Sequence, residues 1–159
     1  PLFCIYRFGI SEGMAGTLLS FLSIVGIFMT VLGGWITDRI GLVRACKFGY
    51  ILMAPAFAML LFAPSVWWVY PIIVVIAFTL NGTYAAFVVL GQSYLAKNVG
   101  LASGVTLGLS SSLGGIFTPL LGMVADAYGI TLVMWLLVVI AALCTIGAFF
   151  LPEPQRDEI

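Results

Sequence analysis

Asp38 and Arg39 stand together at the end of a long apolar run, with Gly34 four residues before the acid and Gly41 three residues after it. A carboxylate so placed can cap or pair with a neighbouring helix N-terminus. A guanidinium can grip a carboxylate through two parallel bonds. Gly34 would permit a close approach of backbones and Gly41 a tight turn, and the basic residues Arg44 and Lys47 follow. A second set of polar groups lies inside apolar stretches: Asn81, Tyr84 and Gln92, which a regular helix would put on one face, and the run Ser110-Ser111-Ser112. Catalysis is poorly served, because the chain has no histidine and so lacks the commonest general base and transition-metal ligand. A Ser–His dyad is impossible within this chain. Cys4, Cys46 and Cys144 match no metal or redox spacing and read as small apolar fillers. Neither a metal site nor a cofactor is expected.

These residues must be carried by an all-α membrane protein. The 159 residues are 63% hydrophobic and 8% charged, whereas a soluble domain is roughly half apolar and about a quarter charged. Zero net charge gives no electrostatic case for nucleic acid. The partner for most of this surface is the lipid bilayer. Apolar stretches at 13–37, 48–66, 67–95, 99–125 and 130–151 each reach the roughly 20 residues a spanning helix needs. Residues 1–9 are apolar but too short to span, and are expected to close a helix that begins upstream. The bundle is expected over 1–151, with a cytoplasmic tail at 152–159. No ionisable residue falls mid-span: Glu12, Asp38 and Asp126 all sit at ends.

With five spans, Arg39, Arg44, Lys47, Lys97 and Arg156 share one side and only Arg7 falls opposite. Basic residues favour the cytoplasmic side, which puts the Asp38 loop, the Lys97 loop and the tail there.

The sequence also repeats at an offset of 88 without gaps. Gly16, Leu19, Ser23, Gly26, Thr30, Leu32, Gly34, Asp38 and Gly41 recur as Gly104, Leu107, Ser111, Gly114, Thr118, Leu120, Gly122, Asp126 and Gly129. Because three spans separate the copies, the second must run in the opposite direction. That is an inverted repeat, a known construction of secondary transporters, though channels and membrane enzymes can be duplicated too.

Small residues mark helix faces. Gly100, Gly104, Gly108, Ser111, Gly115, Thr118 and Gly122 form one stripe of the fourth span, and Gly16, Ser20, Ser23 and Thr30 form one on the first. Such stripes serve either static packing of helices in lipid or a smooth surface for helices that slide. Pro55 and Pro119 are expected to kink their spans. The second and fifth spans are nearly all apolar and expected against lipid. The polar groups of the first, third and fourth spans, notably Asn81, Tyr84, Gln92 and Ser111, are candidates for lining a central cavity. For Asn81 an interhelical hydrogen bond is the equal alternative.

Gly34-Trp35-Ile36-Thr37-Asp38-Arg39-Ile40-Gly41 resembles the signature loop of the major facilitator superfamily, Gly-x-x-x-Asp-Arg-x-Gly followed by basic residues. The stretches Gly91–Leu95, Val99–Gly104, Gly114-Gly115 and Gly122–Asp126 resemble the second half of its fosmidomycin-resistance-type exporters. Here Leu42-Val43 replaces the usual basic pair, with Arg44 and Lys47 further on. The resemblance implies a six-helix half of a twelve-helix fold with a 3+3 inverted repeat, of which this chain holds five spans and the end of another. It implies a latch loop of Gly34, Asp38, Arg39, Gly41 and Arg44. It further implies an N-terminal six-helix half as partner, a small-molecule substrate, protons as the coupling ion, and a plasma membrane location, the bacterial inner membrane. The competing classes are a membrane enzyme, disfavoured by the missing catalytic groups, and a half-size or non-transporting membrane partner.

The basic asymmetry predicts a topology. A cysteine placed at Leu42 should resist a membrane-impermeant thiol reagent added outside, while one placed at Tyr128 should react. The reverse pattern would overturn the assignment.

Overall fold

The computed structural model describes residues 2–152. Beyond Pro152 the expected tail, Arg156 included, lies outside the described residues. Six helices follow one another: α1 (Leu2–Phe8), α2 (Glu12–Ile40), α3 (Leu42–Leu61), α4 (Val66–Tyr94), α5 (Gly100–Tyr128) and α6 (Ile130–Phe149). The last five are long and apolar enough to cross a membrane. There is no strand among the described residues.

Turn chemistry sets the ends. Ser11 caps α2, its hydroxyl accepting the Met14 N–H at 3.3 Å. Charged Asp38 and Arg39 do not stop that helix, contrary to the expected end at 37, because polar side chains at a span's last turn reach the aqueous interface. Only Gly41 is non-helical. Its φ of 90° and ψ of 156° are open to a residue without Cβ, and its N–H donates to the Thr37 carbonyl at 2.9 Å. The next helix therefore starts at Leu42, six residues before the expected 48, and carries Arg44 and Lys47 in its first turns.

The offset of 88 recurs in the backbone. α2 and α5 begin and end at equivalent positions, as do α3 and α6. Gly129 repeats Gly41 with φ 87° and ψ 151°, its N–H donating to Ala125 at 2.8 Å. Ser23 donates to the Leu19 carbonyl as Ser111 does to Leu107, and Thr30 to Gly26 as Thr118 does to Gly114.

Two apolar clusters hold the bundle. At one end Phe3, Cys4, Leu18, Leu61, Val69 and Met134 meet, joining α1 to the starts of α2, α4 and α6 and the end of α3. At the other, Val43, Cys46, Ala86 and Leu90 pack with Leu42 and Leu151, and the Tyr94 hydroxyl donates to the Pro152 carbonyl. The start of α3 and the ends of α4 and α6 thus gather at one end. Midway, α6 is tied to α3 by Thr145, whose hydroxyl donates to the Tyr50 carbonyl at 2.6 Å.

Departures from α geometry fall elsewhere than at the prolines. Pro55 and Pro119 lie inside unbroken helices, whereas π turns interrupt α4 at Phe78–Gly82 and α5 at Gly104–Leu109. Helix contact is also redistributed. α4 is the most buried span, and the most apolar stretch of α5 has no buried residue. Among the described residues nothing lies within 4 Å of a Cβ built on Gly100, Gly104, Gly108, Gly115 or Gly122. The helix-packing role expected of that stripe is not used inside this bundle.

The close approaches are made by Gly26, Gly33, Gly49 and Gly91. A Cβ on Gly33 would run into the backbone of Gly82, and one on Gly26 would lie 2.9 Å from the Asn81 amide nitrogen. Gly33→Ala must therefore push α2 from α4, and we expect a destabilisation of about 1–3 kcal/mol. Gly122→Ala, in open space, should be neutral. Thermal unfolding midpoints in detergent check both.

Candidate functional site

The signature loop is built on the last turn of α2. Thr37 is buried and its hydroxyl bonds to the Gly33 carbonyl at 2.7 Å, so Asp38 and Arg39 point outward from a fixed turn. The Arg39 guanidinium lies over the Trp35 ring, 4.2 Å from its centroid. A cation held on a π face there is stabilised by about 0.5–1 kcal/mol. Arg39 thus meets Trp35, absent from the expected site, in place of the expected carboxylate, although Trp-x-x-x-Arg on a helix is the spacing at which side chains meet. α3 begins without a side-chain cap, so Asp38 does not cap it and remains exposed, as does Arg44. Gly34 has open space around it, and the close approach expected of it belongs to Gly33.

The four cavity candidates are not brought together. The π turn containing Asn81 breaks the regular spacing, because one extra residue in a turn rotates all that follows by about 100°. Asn81 is aimed at Gly26 of α2, with its amide donating to the Ala77 carbonyl of its own helix at 3.2 Å. Tyr84 instead faces α3, in a pocket with Tyr50 and Phe87. Gln92 ties α4 to α5 by donating from Nε2 to the Ser103 hydroxyl at 2.9 Å, beside the contact of Gly91 with Thr106. Ser111 lies on the exposed face of α5, its hydroxyl donating to the Leu107 carbonyl at 2.8 Å. No group of three or more metal-ligating side chains exists among the described residues.

The Major Facilitator Superfamily profile matches residues 1–159. The chain belongs to that superfamily. It is 31% identical over 129 residues to the fosmidomycin resistance protein of Escherichia coli (strain K12), covering 81% of this chain and 31% of that protein. It is 33% identical over 133 residues to the uncharacterized MFS-type transporter YfnC of Bacillus subtilis (strain 168), covering 82% and 32%. The chain thus spans about a third of the length of the curated relatives it matches. No solved structure matches it. A multi-pass integral membrane protein of a transporter superfamily accounts for the five apolar helices and for the signature loop between α2 and α3.

In this superfamily member the Gln92–Ser103 bond is the only side chain to side chain hydrogen bond among the described residues. Gln92→Leu and Ser103→Ala should each loosen the α4–α5 junction. Their coupling in a double-mutant cycle on unfolding should be about 0.6 kcal/mol, and strict additivity would show that the bond contributes nothing.

Proposed function

We propose that this chain is the C-terminal part of a secondary active transporter that exports a small antimicrobial molecule in exchange for protons. The observation that carries the proposal is the superfamily match over all 159 residues together with the likeness to a fosmidomycin resistance protein. In this reading the two copies of the repeat stand in opposite orientations, and the end of the bundle bearing the Asp38 turn is cytoplasmic.

The exposed faces of α2 and α5 suit helices that border a path and move. Ser23, Thr30, Ser111 and Thr118 present small side chains whose hydroxyls are already bonded to carbonyls of their own helices. Such faces are neutral and smooth, and an opposing helical half can slide along them without breaking hydrogen bonds. α4 completes the wall, with Gln92 bonded to Ser103 of α5 and Asn81 packed on Gly26 of α2. Since no ionisable group lies mid-span, the carboxylate that takes the coupling proton belongs to the N-terminal half.

The Asp38 turn acts as the latch that favours one conformation, because a charge on a fixed turn interacts with whatever helix end meets it there. In the full-length protein Asp38→Asn should lower transport by about tenfold, within the range of a 1–3 kcal/mol conformational bias, with little change in expression. The measurement is uptake of the antimicrobial into everted vesicles with and without a proton gradient. Uptake indifferent to the gradient would remove the proton coupling, and an unchanged rate in the variant would reduce the loop to an ordinary turn.

A further inference from the structure

From the first turn of α3 to the residue that closes it runs one exposed stripe: Arg44, Phe48, Ile51, Pro55, Met59 and Phe62. Their spacing of three or four residues is that of a single helix face. Lys47, half-buried, stands three residues after Arg44, the separation at which helical side chains are neighbours. Between Arg44 and Pro55 the helix rises about 16 Å, half of a hydrocarbon core roughly 30 Å thick. The stripe therefore offers one leaflet two cations at the head of an apolar wall. Phe48 stiffens that wall, its ring meeting Phe78 of α4 edge-on at 6.2 Å.

The repeat supplies an internal comparison. At the offset of 88 the stripe recurs on α6 as Leu132, Leu136, Val139, Leu143, Gly147 and Phe150, all of them exposed too. Arg44 and Lys47 correspond to Leu132 and Trp135. The open face thus belongs to the shared plan, and the two cations are added to one copy alone. The starts of α3 and α6 lie at opposite ends of the bundle, each in a different apolar cluster, so the cations meet one leaflet and not the other. The sequence places no Asp or Glu between Asp38 and Asp126. Charges that only orient a chain can stand anywhere near the end of a span, whereas these two head a stripe that lipid covers.

We propose that the start of α3 binds an anionic phospholipid, its phosphate held by Arg44 and Lys47 and one acyl chain laid along Phe48, Ile51 and Pro55. The guanidinium supplies paired N–H donors for phosphate oxygens and the ammonium a compact point charge. A zwitterionic lipid carries its own cation beside the phosphate and gains less from the pair. The site does not depend on the transport proposal, nor on which end of the bundle is cytoplasmic.

The test uses the full-length protein, delipidated in detergent and then offered phosphatidylglycerol and phosphatidylcholine with the same acyl chains, with retained lipid weighed by native mass spectrometry. Phosphatidylglycerol should be retained in preference. Arg44→Gln and Lys47→Gln should each weaken it about fivefold, the effect of one cation near a membrane surface, and leave phosphatidylcholine unchanged. Lys97→Gln, at the same end but off the stripe, should alter neither. Phosphatidylglycerol carrying a diazirine in its chain should label Phe48 and Ile51 and spare Leu136 and Val139. Equal labelling of the two faces would overturn the site. Displacement of the lipid by glycerol 1-phosphate would overturn it in favour of a soluble anion. A preference seen only after removal of residues 153–159 would assign the cations to the acidic groups Glu153, Asp157 and Glu158 and overturn it as well. Should the variants not fold, equal retention of the two lipids by the unaltered protein would by itself remove the proposal.

Discussion

Between Gly33 of α2 and Gly82 of α4 two backbones meet with no side chain to separate them. Much of the bundle depends on that approach. Hydrocarbon solvates leucine as well as another leucine does, so helices in lipid gain little by hiding apolar surface and are held by close packing and polar contacts. Gly26 admits the Asn81 amide on the same seam, and Gly49 admits Thr83 where α3 meets α4. Through these contacts α4 becomes the centre of the bundle. The two apolar clusters at either end then fix the tilt of helices that the glycines have already brought together.

The repeat shows which residues do this. Turn and span-forming positions are shared between the copies, including the glycine pair Gly41 and Gly129, whose backbone angles agree within a few degrees. Gly26 recurs as Gly114, which has open space around it, but Gly33 and Gly49 do not recur. Gly33 and Gly49 correspond to Leu121 and Leu137 in the second copy, and a leucine cannot let two backbones touch. α2 is therefore locked onto α4 through Gly33, while the glycines of α5 from Gly100 to Gly122 have open space around them. One helical plan thus yields a helix held to α4 along one face and another whose most apolar stretch has no buried residue.

The five spans and the grouping of their ends were legible in the sequence because hydropathy and charge placement are local signals, whereas the connection at 38–47 was not, since Asp38, Arg39, Arg44 and Lys47 all lie within helices. The repeat was legible for the same reason. Side-chain partners were not. Asn81, Tyr84 and Gln92 share a face only if the helix keeps 3.6 residues per turn, and the π turn at Phe78–Gly82 removes that condition. The stripe from Gly100 to Gly122 looked like a packing face because glycine content alone cannot say which neighbour is present. Gly33, outside any stripe, carried the decisive contact, and its only signal was a second glycine next to Gly34. Trp35 carried no distinct signal, because a tryptophan near a span's end suits lipid headgroups as well as it suits an arginine.

The Trp35–Arg39 contact bears on how the loop can act. A guanidinium lying on an indole keeps its N–H groups at the ring's rim free to bond, so Arg39 is oriented without being used up. Asp38, fixed one residue earlier by the buried Thr37 and the Gly41 turn, stays exposed beside it. Had the two charges neutralised each other or capped α3, the turn would be a closed structural unit with nothing left for a moving neighbour. Instead both groups are held in position and left available, and the backbone that holds them is anchored through Gly33 to the most buried helix of the bundle. In the proposed reading a shift of the loop passes through Gly33 to α4, whose π turn at Phe78–Gly82 departs from regular α geometry.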